Sequence, residues 1–189
     1  WVGASVTVTW CIGHLLETAP PDSYDARYKR WVLEDLPIVP ERWKMQVKPK
    51  TASQYKAVKR LLGEASELVI ATDADREGEM IARELVEHCR YRGPIQRLWL
   101  SALDDASIRK ALGSLRAGAD TFNLYQSALG RSRADWLIGM NMSRLFTLLG
   151  QQSGYQGVLP VGRVQTPTLR LVVDRDRSIA GFVPLPFWA

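Results

Sequence analysis

Between residues 68 and 79 the chain reads Leu68-Val-Ile-Ala-Thr-Asp-Ala-Asp-Arg-Glu-Gly-Glu79. The segment opens with a short, continuous apolar run, which is typical of a strand buried on both faces. Three carboxylates at alternate positions follow, on Asp73, Asp75 and Glu77, and apolar residues then recur at helical spacing to about Cys89. The segment therefore predicts a buried strand, an acidic loop and a helix, in that order.

The flanking residues extend this pattern into an α/β domain. A strand is predicted over Val6–Trp10, and residues 18–49 form a long, largely irregular excursion because they lack steady periodicity. A helix is predicted from Thr51, with Gly63 closing it. Residues 95–100 predict a further strand and residues 105–115 a further helix. Strand and helix in alternation favour a Rossmann-like parallel sheet.

The second half of the chain has a different character. Residues 122–149 predict one continuous helix, and no clear strand follows it. Thr166 is suited to an N-cap and Pro167 to the first helical position, so a last helix is predicted from there. We therefore place a domain boundary near residue 117, between an α/β domain at 1–117 and a mainly α-helical domain at 118–189.

The composition agrees with a folded domain that meets an anionic partner. Of the 189 residues, 46% are hydrophobic and 24% charged, and the net charge is +5. No apolar run is long enough to span a membrane. Cys11 and Cys89 match no zinc or redox spacing and are predicted to be free thiols. The chain opens at Trp1 without a methionine, which we interpret as truncation. Five tryptophans are assigned to the core or to truncated edges: Trp1, Trp10, Trp43, Trp99 and Trp188.

The three alternating carboxylates predict a metal site. Crowded carboxylates resist joint ionisation, and a hard divalent cation removes that penalty. Mg²⁺ binds through one or two carboxylates and keeps waters for a phosphate. Gly78 allows the turn into the helix to approach such a phosphate. A simpler interpretation is that acidic residues at a helix N-terminus complement the helix dipole. Three such residues after a buried strand favour a metal site instead, with Asp73, Asp75 and Glu77 as its ligands.

Basic side chains collect in the second half. Arg131 lies four residues before Asp135 and can pair with it on a helix. Arg144 has no acid three or four residues away, so we expect it to be available to a phosphate. Arg163 and Gln165 stand just ahead of a helix N-terminus, where backbone donors favour phosphate binding; solvated loop side chains are the alternative. Trp31 in the excursion is placed either to stack on an unpaired base or to pack beneath the excursion.

Several motifs carry a resemblance to one enzyme family. Residues 73–77 resemble the Asp-x-Asp-x-Glu motif of the Toprim domain, which topoisomerases, primases and some nucleases share. Flanking segments at residues 9–15, 28–31, 36–40, 127–141 and 161–168 are similar, in family order, to successive parts of the bacterial type IA topoisomerases of the topoisomerase III kind. Another Toprim enzyme, or a DNA-binding module without catalysis, is the alternative.

The resemblance implies a set of DNA contacts along the second domain. From the residues alone Trp136 is equally suited to the core, but the resemblance favours contacts of Trp136, Arg144 and Gln151 with single-stranded DNA, although a basic residue is usual where Gln151 stands. It also places the Gly-Arg-Val-Gln segment in the DNA groove, with Pro160 where a small polar residue is usual. The predicted DNA-binding residues are Trp31, Arg131, Trp136, Arg144, Gln151, Pro160, Val161, Gly162, Arg163, Val164 and Gln165.

The resemblance further implies a reaction that this chain does not complete. Such enzymes cut one DNA strand with a tyrosine, pass another strand through the break and reseal the cut strand with the help of Mg²⁺. The resemblance implies that Glu77 supports this catalysis. None of the tyrosines here lies in a Tyr-x-Arg-Thr setting, and the family's first strand, with its glutamate, would precede Trp1. We expect a cytoplasmic bacterial enzyme, monomeric, that prefers single-stranded DNA. A helicase or a single-strand-binding protein is a further candidate partner.

Overall fold

The computed structural model describes residues 2–3 and 5–187. Trp1 and Trp188, two of the tryptophans assigned above, therefore lie outside the described residues. The strands are β1 (Leu16–Thr18), β2 (Met45–Val47), β3 (Leu68–Ile70), β4 (Ile95–Arg97) and β5 (Arg116–Ala117). The helices are α1 (Ala52–Glu64), α2 (Arg76–His88), α3 (Asp105–Leu112), α4 (Phe122–Gln152) and α5 (Gln165–Ala180). No helix among the described residues is long and apolar enough to cross a membrane.

The strands form two small sheets. In one, β1 pairs antiparallel with β2, and in the other the order is β3-β4-β5. The β3–β4 pair is parallel, with Leu68 opposite Ile95, which confirms the predicted βαβ unit around α2. The β4–β5 pair is antiparallel, so the sheet also carries an antiparallel edge strand that the sequence did not predict. The mixed α/β character of the chain is confirmed.

Two strand predictions are corrected by the structure. The predicted strand over Val6–Trp10 contributes only an isolated bridge between Val2 and Thr7, and the strand forms later, at β1, where Leu16 is buried and can pair with β2. The predicted burial of β3 on both faces is also wrong, because Val69 is 41% exposed while Ile70 is buried. Successive side chains of a strand point to opposite faces of the sheet, so the face that carries Ile70 is covered and the face that carries Val69 is partly open.

The helices agree better with the sequence. Helices α1, α2 and α4 match the predicted spans to within a few residues, as a strong 3.6-residue period allows. Helix α3 is shorter than predicted. Helix α5 begins at Gln165 with Val164 in the cap position, so the predicted cap at Thr166 is wrong. Thr166 accepts a hydrogen bond from the Gly162 N–H through its hydroxyl, at 3.0 Å, which braces the turn before the helix.

Two compact units divide the chain. One comprises Trp1–Tyr24 and Glu41–Arg133, and the other Asp25–Pro40 and Ala134–Ala189. The core of the first unit joins β1 to α1 and α2 through Leu15, Leu16, Tyr55, Val58, Leu62 and Leu85. Cys11 and Cys89 pack against it as free thiols, as predicted, and burial raises the pKa of both.

The second unit holds the irregular excursion against α4. The Asn141 side chain accepts a hydrogen bond from the Ile38 N–H at 2.6 Å and donates one to the Ile38 carbonyl at 2.9 Å. Both residues are buried. One amide thus satisfies both backbone groups of Ile38, which fixes an excursion that has little regular structure of its own.

Candidate functional site

The loop after β3 carries the predicted metal-binding carboxylates, and Arg97 fixes its backbone. The Arg97 guanidinium donates to the carbonyls of Thr72 at 2.7 Å and Asp73 at 2.5 Å, and also to those of Ile70 and Leu98. Arg97 is fully buried. Because five donors in a rigid plane meet several carbonyls at once, this side chain determines the path of the loop.

A buried carboxylate compensates the charge of Arg97. Glu79, which is also fully buried, accepts from Arg97 Nε at 2.5 Å and from Arg83 Nε at 2.8 Å. Arg83 in turn donates to the Gly118 carbonyl. The network couples α2 to β4 and to the turn before α4. Sequence reasoning missed it, because Glu79, Arg83 and Arg97 carry no motif and become neighbours only when α2 packs on the sheet.

Asp75 and Gly78 shape the entry into α2. Asp75 is the N-cap, and its Oδ1 accepts from the Gly78 N–H at 2.7 Å. A Cβ at position 78 would lie 2.2 Å from the Asp73 carbonyl oxygen, so only glycine fits there. The Thr72 hydroxyl donates to the Gly78 carbonyl at 2.7 Å. Gly78 therefore lies directly against the loop backbone, and the predicted approach of a phosphate to this turn stays a prediction.

Glu77 contacts His14, which is not among the predicted site residues. The His14 Nε2 lies 2.8 Å from Glu77 Oε1, and its Nδ1 lies 2.8 Å from Glu84 Oε1. The hydrogen bond to Glu84, and then the one to Glu77, raises the pKa of His14 even though burial opposes it. Burial raises the pKa of Glu84. The spacing of Glu77 and Glu84, two helical turns on α2, was the available sequence signal.

The three candidate metal ligands share one loop but are not gathered around a common point. Among the described residues, no group of three or more histidine, cysteine, aspartate or glutamate side chains could hold a metal ion. Asp73, Asp75 and Glu77 are exposed carboxylates at the C-terminal end of a parallel strand. This donor set fits Mg²⁺, which takes oxygen ligands, needs only one or two carboxylates and retains waters.

The candidate DNA-contacting arginines have partners. Arg163 forms an ion pair with Asp135, with Nη1 to Oδ1 at 2.8 Å and both side chains about two-fifths exposed. The sequence predicted Arg131 as the partner of Asp135, because helical spacing identifies only pairs of residues that are close along the chain. Arg144 is 5% exposed, and its guanidinium lies 5.1 Å from the centre of the Trp31 ring. The structure therefore does not show Arg144 as available to a phosphate, which is what the sequence predicted.

The other candidate DNA residues lie at or near the surface. Arg131, Gln151, Arg163, Val164 and Gln165 are exposed, and Trp136 is half-buried. The segment at Pro160–Gly162 is anchored at Val161, whose N–H donates to the Ser143 hydroxyl at 2.9 Å. That hydroxyl donates back to the Val161 carbonyl at 3.2 Å. Ser143, which the sequence did not single out, thus sets the position of the Gly-Arg-Val-Gln segment.

Two consecutive parts of the chain match models of known protein families. Residues 3–103 match the model of the Toprim domain, and residues 119–189 match a family model described as DNA topoisomerase. The chain belongs to the Toprim domain family. The acidic loop falls in the first match, and the candidate DNA residues from Arg131 onward fall in the second.

The chain is also similar to individual proteins that are named as topoisomerases. The chain is 50% identical over 181 residues to DNA topoisomerase 3 of Vibrio cholerae, covering 94% of this chain and 28% of the relative. It is 43% identical to DNA topoisomerase 3 of Bacillus subtilis over 98% of this chain and 25% of the relative. The solved full-length topoisomerase I of Thermotoga maritima aligns with a TM-score of 0.63 at 27% identity, over 92% of this chain and 27% of that one. The chain thus spans about a quarter of the length of these relatives.

Proposed function

We propose that the protein containing this chain is a type IA DNA topoisomerase, which relaxes or decatenates DNA by transient cleavage of one strand, strand passage and resealing. The observation that carries the proposal is the acidic loop between β3 and α2, braced by Arg97 and followed by the topoisomerase match. A primase or nuclease is less favoured because of that second match.

In this proposal Asp73, Asp75 and Glu77 hold Mg²⁺. Bound Mg²⁺ supplies a Lewis acid that positions and neutralises a phosphate. Asp75 keeps the α2 N-terminus intact, and Arg97 keeps the Asp73 backbone in place. Glu77 is held by His14 in the present arrangement. Glu77 supports catalysis, and the nucleophilic tyrosine lies outside the 189 residues.

The proposed substrate is DNA with a single-stranded segment. Trp31, Arg131, Trp136, Gln151 and residues 160–165 are proposed to line its path, and the buried Arg144 is proposed to act on the DNA through the Trp31 ring that it contacts. Arg163 is two-fifths exposed, so its pairing with Asp135 leaves it accessible to a phosphate. We further propose a monomeric enzyme of the bacterial cytoplasm, which acts beside a helicase or a single-strand-binding protein.

The test is relaxation of a negatively supercoiled plasmid by the complete polypeptide, followed on agarose gels. We expect relaxation with Mg²⁺ and without ATP, and none in EDTA. The 189-residue chain alone should neither relax the plasmid nor form a covalent DNA adduct, because none of its tyrosines has the Tyr-x-Arg-Thr setting. A complete polypeptide that binds DNA without changing its topology would support the non-catalytic alternative.

A further inference from the structure

A recess at the C-terminal ends of α1 and α2 collects positive charge. Its volume is about 400 Å³, which lies in the range of about 300–1,000 Å³ that is usual for small-molecule sites. Three cationic side chains line it, from Lys59 on α1 and from Arg90 and Arg92 in the loop after α2. All three residues are exposed, and no acidic side chain is among the described residues of the lining. The recess therefore attracts anions.

The acids closest to the recess along the chain already have partners. Glu64, the last residue of α1, pairs with Arg60 at 3.0 Å. Glu67 accepts a hydrogen bond from the Gln96 amide at 2.5 Å. Within the part of the chain that the structure describes, none of the three recess cations forms an ion pair. Their charge is thus left for a ligand to compensate.

The helix ends alone do not account for three cations. The C-terminus of a helix carries about half a negative charge, so the ends of α1 and α2 together amount to roughly one. Lysine and arginine at such positions commonly compensate that charge. A single cation would suffice here, and about two positive charges remain without compensation.

Arg90 has a backbone conformation that disfavours any side chain. Its φ is 56°, and it ends α2 in a Schellman motif, in which its N–H donates to the Glu87 carbonyl and the Tyr91 N–H donates to the Val86 carbonyl, both at 3.0 Å. Glycine is the usual residue there, because it adopts the left-handed region without strain. Among the described residues, Arg90 is the one non-glycine residue with a positive φ. Such strain is typical of positions where the side chain has a function.

The loop that carries both arginines is held before any ligand arrives. The Tyr91 hydroxyl donates to the Pro94 carbonyl at 3.3 Å, and a Cβ at Gly93 would collide with that hydroxyl. The Tyr91 ring therefore lies directly on Gly93. A loop fixed in this way loses little conformational entropy when a ligand binds. On the α1 side, Gly63 leaves the recess open, because a Cβ there would meet nothing within 4 Å.

We propose that this recess binds a small compound with two or more adjacent phosphoryl groups, such as a diphosphate or a nucleoside triphosphate. Guanidinium groups bind phosphate oxygens through two parallel hydrogen bonds, and lysine adds a point charge. Adjacent phosphoryl groups bring several negative charges into a recess of this size, whereas each phosphodiester of DNA carries only one.

The position of the recess also separates it from the proposed chemistry. It lies at the opposite end of α2 from the acidic loop, and the 13 residues of that helix span about 20 Å. The proposal goes beyond the proposed function, because binding in the recess requires neither DNA nor a metal ion.

The experiment is a calorimetric titration of the complete polypeptide with inorganic pyrophosphate, in EDTA so that no metal bridges the anion to the acidic loop. Arg92→Ala should weaken binding about tenfold, the value of one hydrogen bond between charged groups. Lys59→Ala should also weaken it. Lys56→Ala is the matched control and should not, because Lys56 is exposed on the same helix but lies outside the recess.

Two further variants separate binding from stability. Arg90→Gly removes a recess cation and suits the left-handed backbone, so it should weaken pyrophosphate binding about tenfold without lowering the melting temperature. Gly63→Gln extends an amide over the recess and replaces a helical glycine with a better helix former, so the same result is expected. Weaker binding in these variants would therefore not arise from unfolding.

Titrations with other anions identify the source of the phosphoryl groups. Tighter binding of ATP than of pyrophosphate supports a nucleotide as the ligand, and equal binding supports recognition of the phosphoryl end alone. Orthophosphate, which carries fewer charges, should bind more weakly than either. Arg92→Ala should leave the affinity for a short single-stranded oligonucleotide unchanged, and an equal loss for that oligonucleotide overturns the proposal in favour of a DNA phosphate.

Three other results overturn the proposal. One is a parent that does not bind pyrophosphate, or binds it no more tightly than orthophosphate. Another is a pyrophosphate affinity that Arg90→Gly and Gly63→Gln both leave at the parental value. The third is a loss in Lys56→Ala as large as that in Lys59→Ala, which would show a general effect of surface charge.

Discussion

Buried charges in the first unit stand close to the proposed metal loop, and each has an opposite charge against it. Arg97 and Arg83 both contact the buried Glu79, and the partly buried His14 contacts the buried Glu84 and the exposed Glu77. Removing one member of such a pair leaves a buried charge without compensation, which costs far more than breaking an exposed pair. These residues therefore decide whether the acidic loop keeps its shape.

Arg97→Met should destabilise the protein by about 3–5 kcal/mol, because Glu79 would lose a buried cation and the loop carbonyls would lose a donor. The free energy of unfolding from urea denaturation measures this loss. The control is Arg60→Met, which breaks the exposed Arg60–Glu64 pair on α1 and should cost about 0.5 kcal/mol or less. Equal losses in the two variants would show that the buried network does not hold the fold.

At the scale of elements, the close approach of α2 to the acidic loop depends on one glycine. A Cβ at Gly78 would meet the Asp73 carbonyl oxygen at 2.2 Å and its nitrogen at 2.8 Å, and both are backbone atoms. In α1, by contrast, a Cβ at Gly63 would meet nothing within 4 Å. The two helical glycines thus offer the same substitution with opposite consequences.

Gly78→Ala should lower the melting temperature, because the loop must shift to admit the methyl group at a cost of about 1–3 kcal/mol. Gly63→Ala should raise stability by about 0.4–1 kcal/mol, because alanine restricts the unfolded chain. Thermal unfolding followed by circular dichroism measures both, with about 2–4 °C expected per kcal/mol at this size. A melting temperature that does not fall in Gly78→Ala would contradict the close approach.

Elements with a strong local signal were predictable, and those that depend on distant partners were not. Helices α1, α2 and α4 follow from apolar spacing alone. Strand β1 has three residues and is defined by pairing with β2, which lies 27 residues further on at Thr18 and Met45. The local sequence does not indicate a pairing with a strand so far along the chain. The strand was therefore predicted at residues 6–10, where apolar and polar residues alternate more regularly.

The candidate site follows the same rule. The carboxylates were found because they stand together after an apolar run, and their geometry as metal ligands stays a prediction. Arg97, His14 and Ser143 were not found, since each acts on residues more than fifteen positions away. Arg163 was found, but its partner Asp135, 28 positions earlier, was not.

At the scale of the whole molecule, the two family matches divide the proposed chemistry along the chain. The metal-binding loop lies within the match at residues 3–103, and most of the proposed DNA residues lie within the match at residues 119–189. The relatives are three to four times longer than this chain. We therefore expect metal binding to be a property of these 189 residues, and the proposed relaxation activity to need the complete polypeptide.

The most direct test of this account is a calorimetric Mg²⁺ titration of the chain and of its Asp73→Asn/Asp75→Asn variant. Asparagine at 75 still caps α2, so the fold should persist while the negative charge is lost. Asp104→Asn is the control, because Asp104 caps α3 in the same way through the Ser107 N–H at 3.0 Å. We expect Mg²⁺ to bind the parent and the control and not the double variant. Parental Mg²⁺ affinity in the double variant would contradict the assignment of the acidic loop as the metal centre.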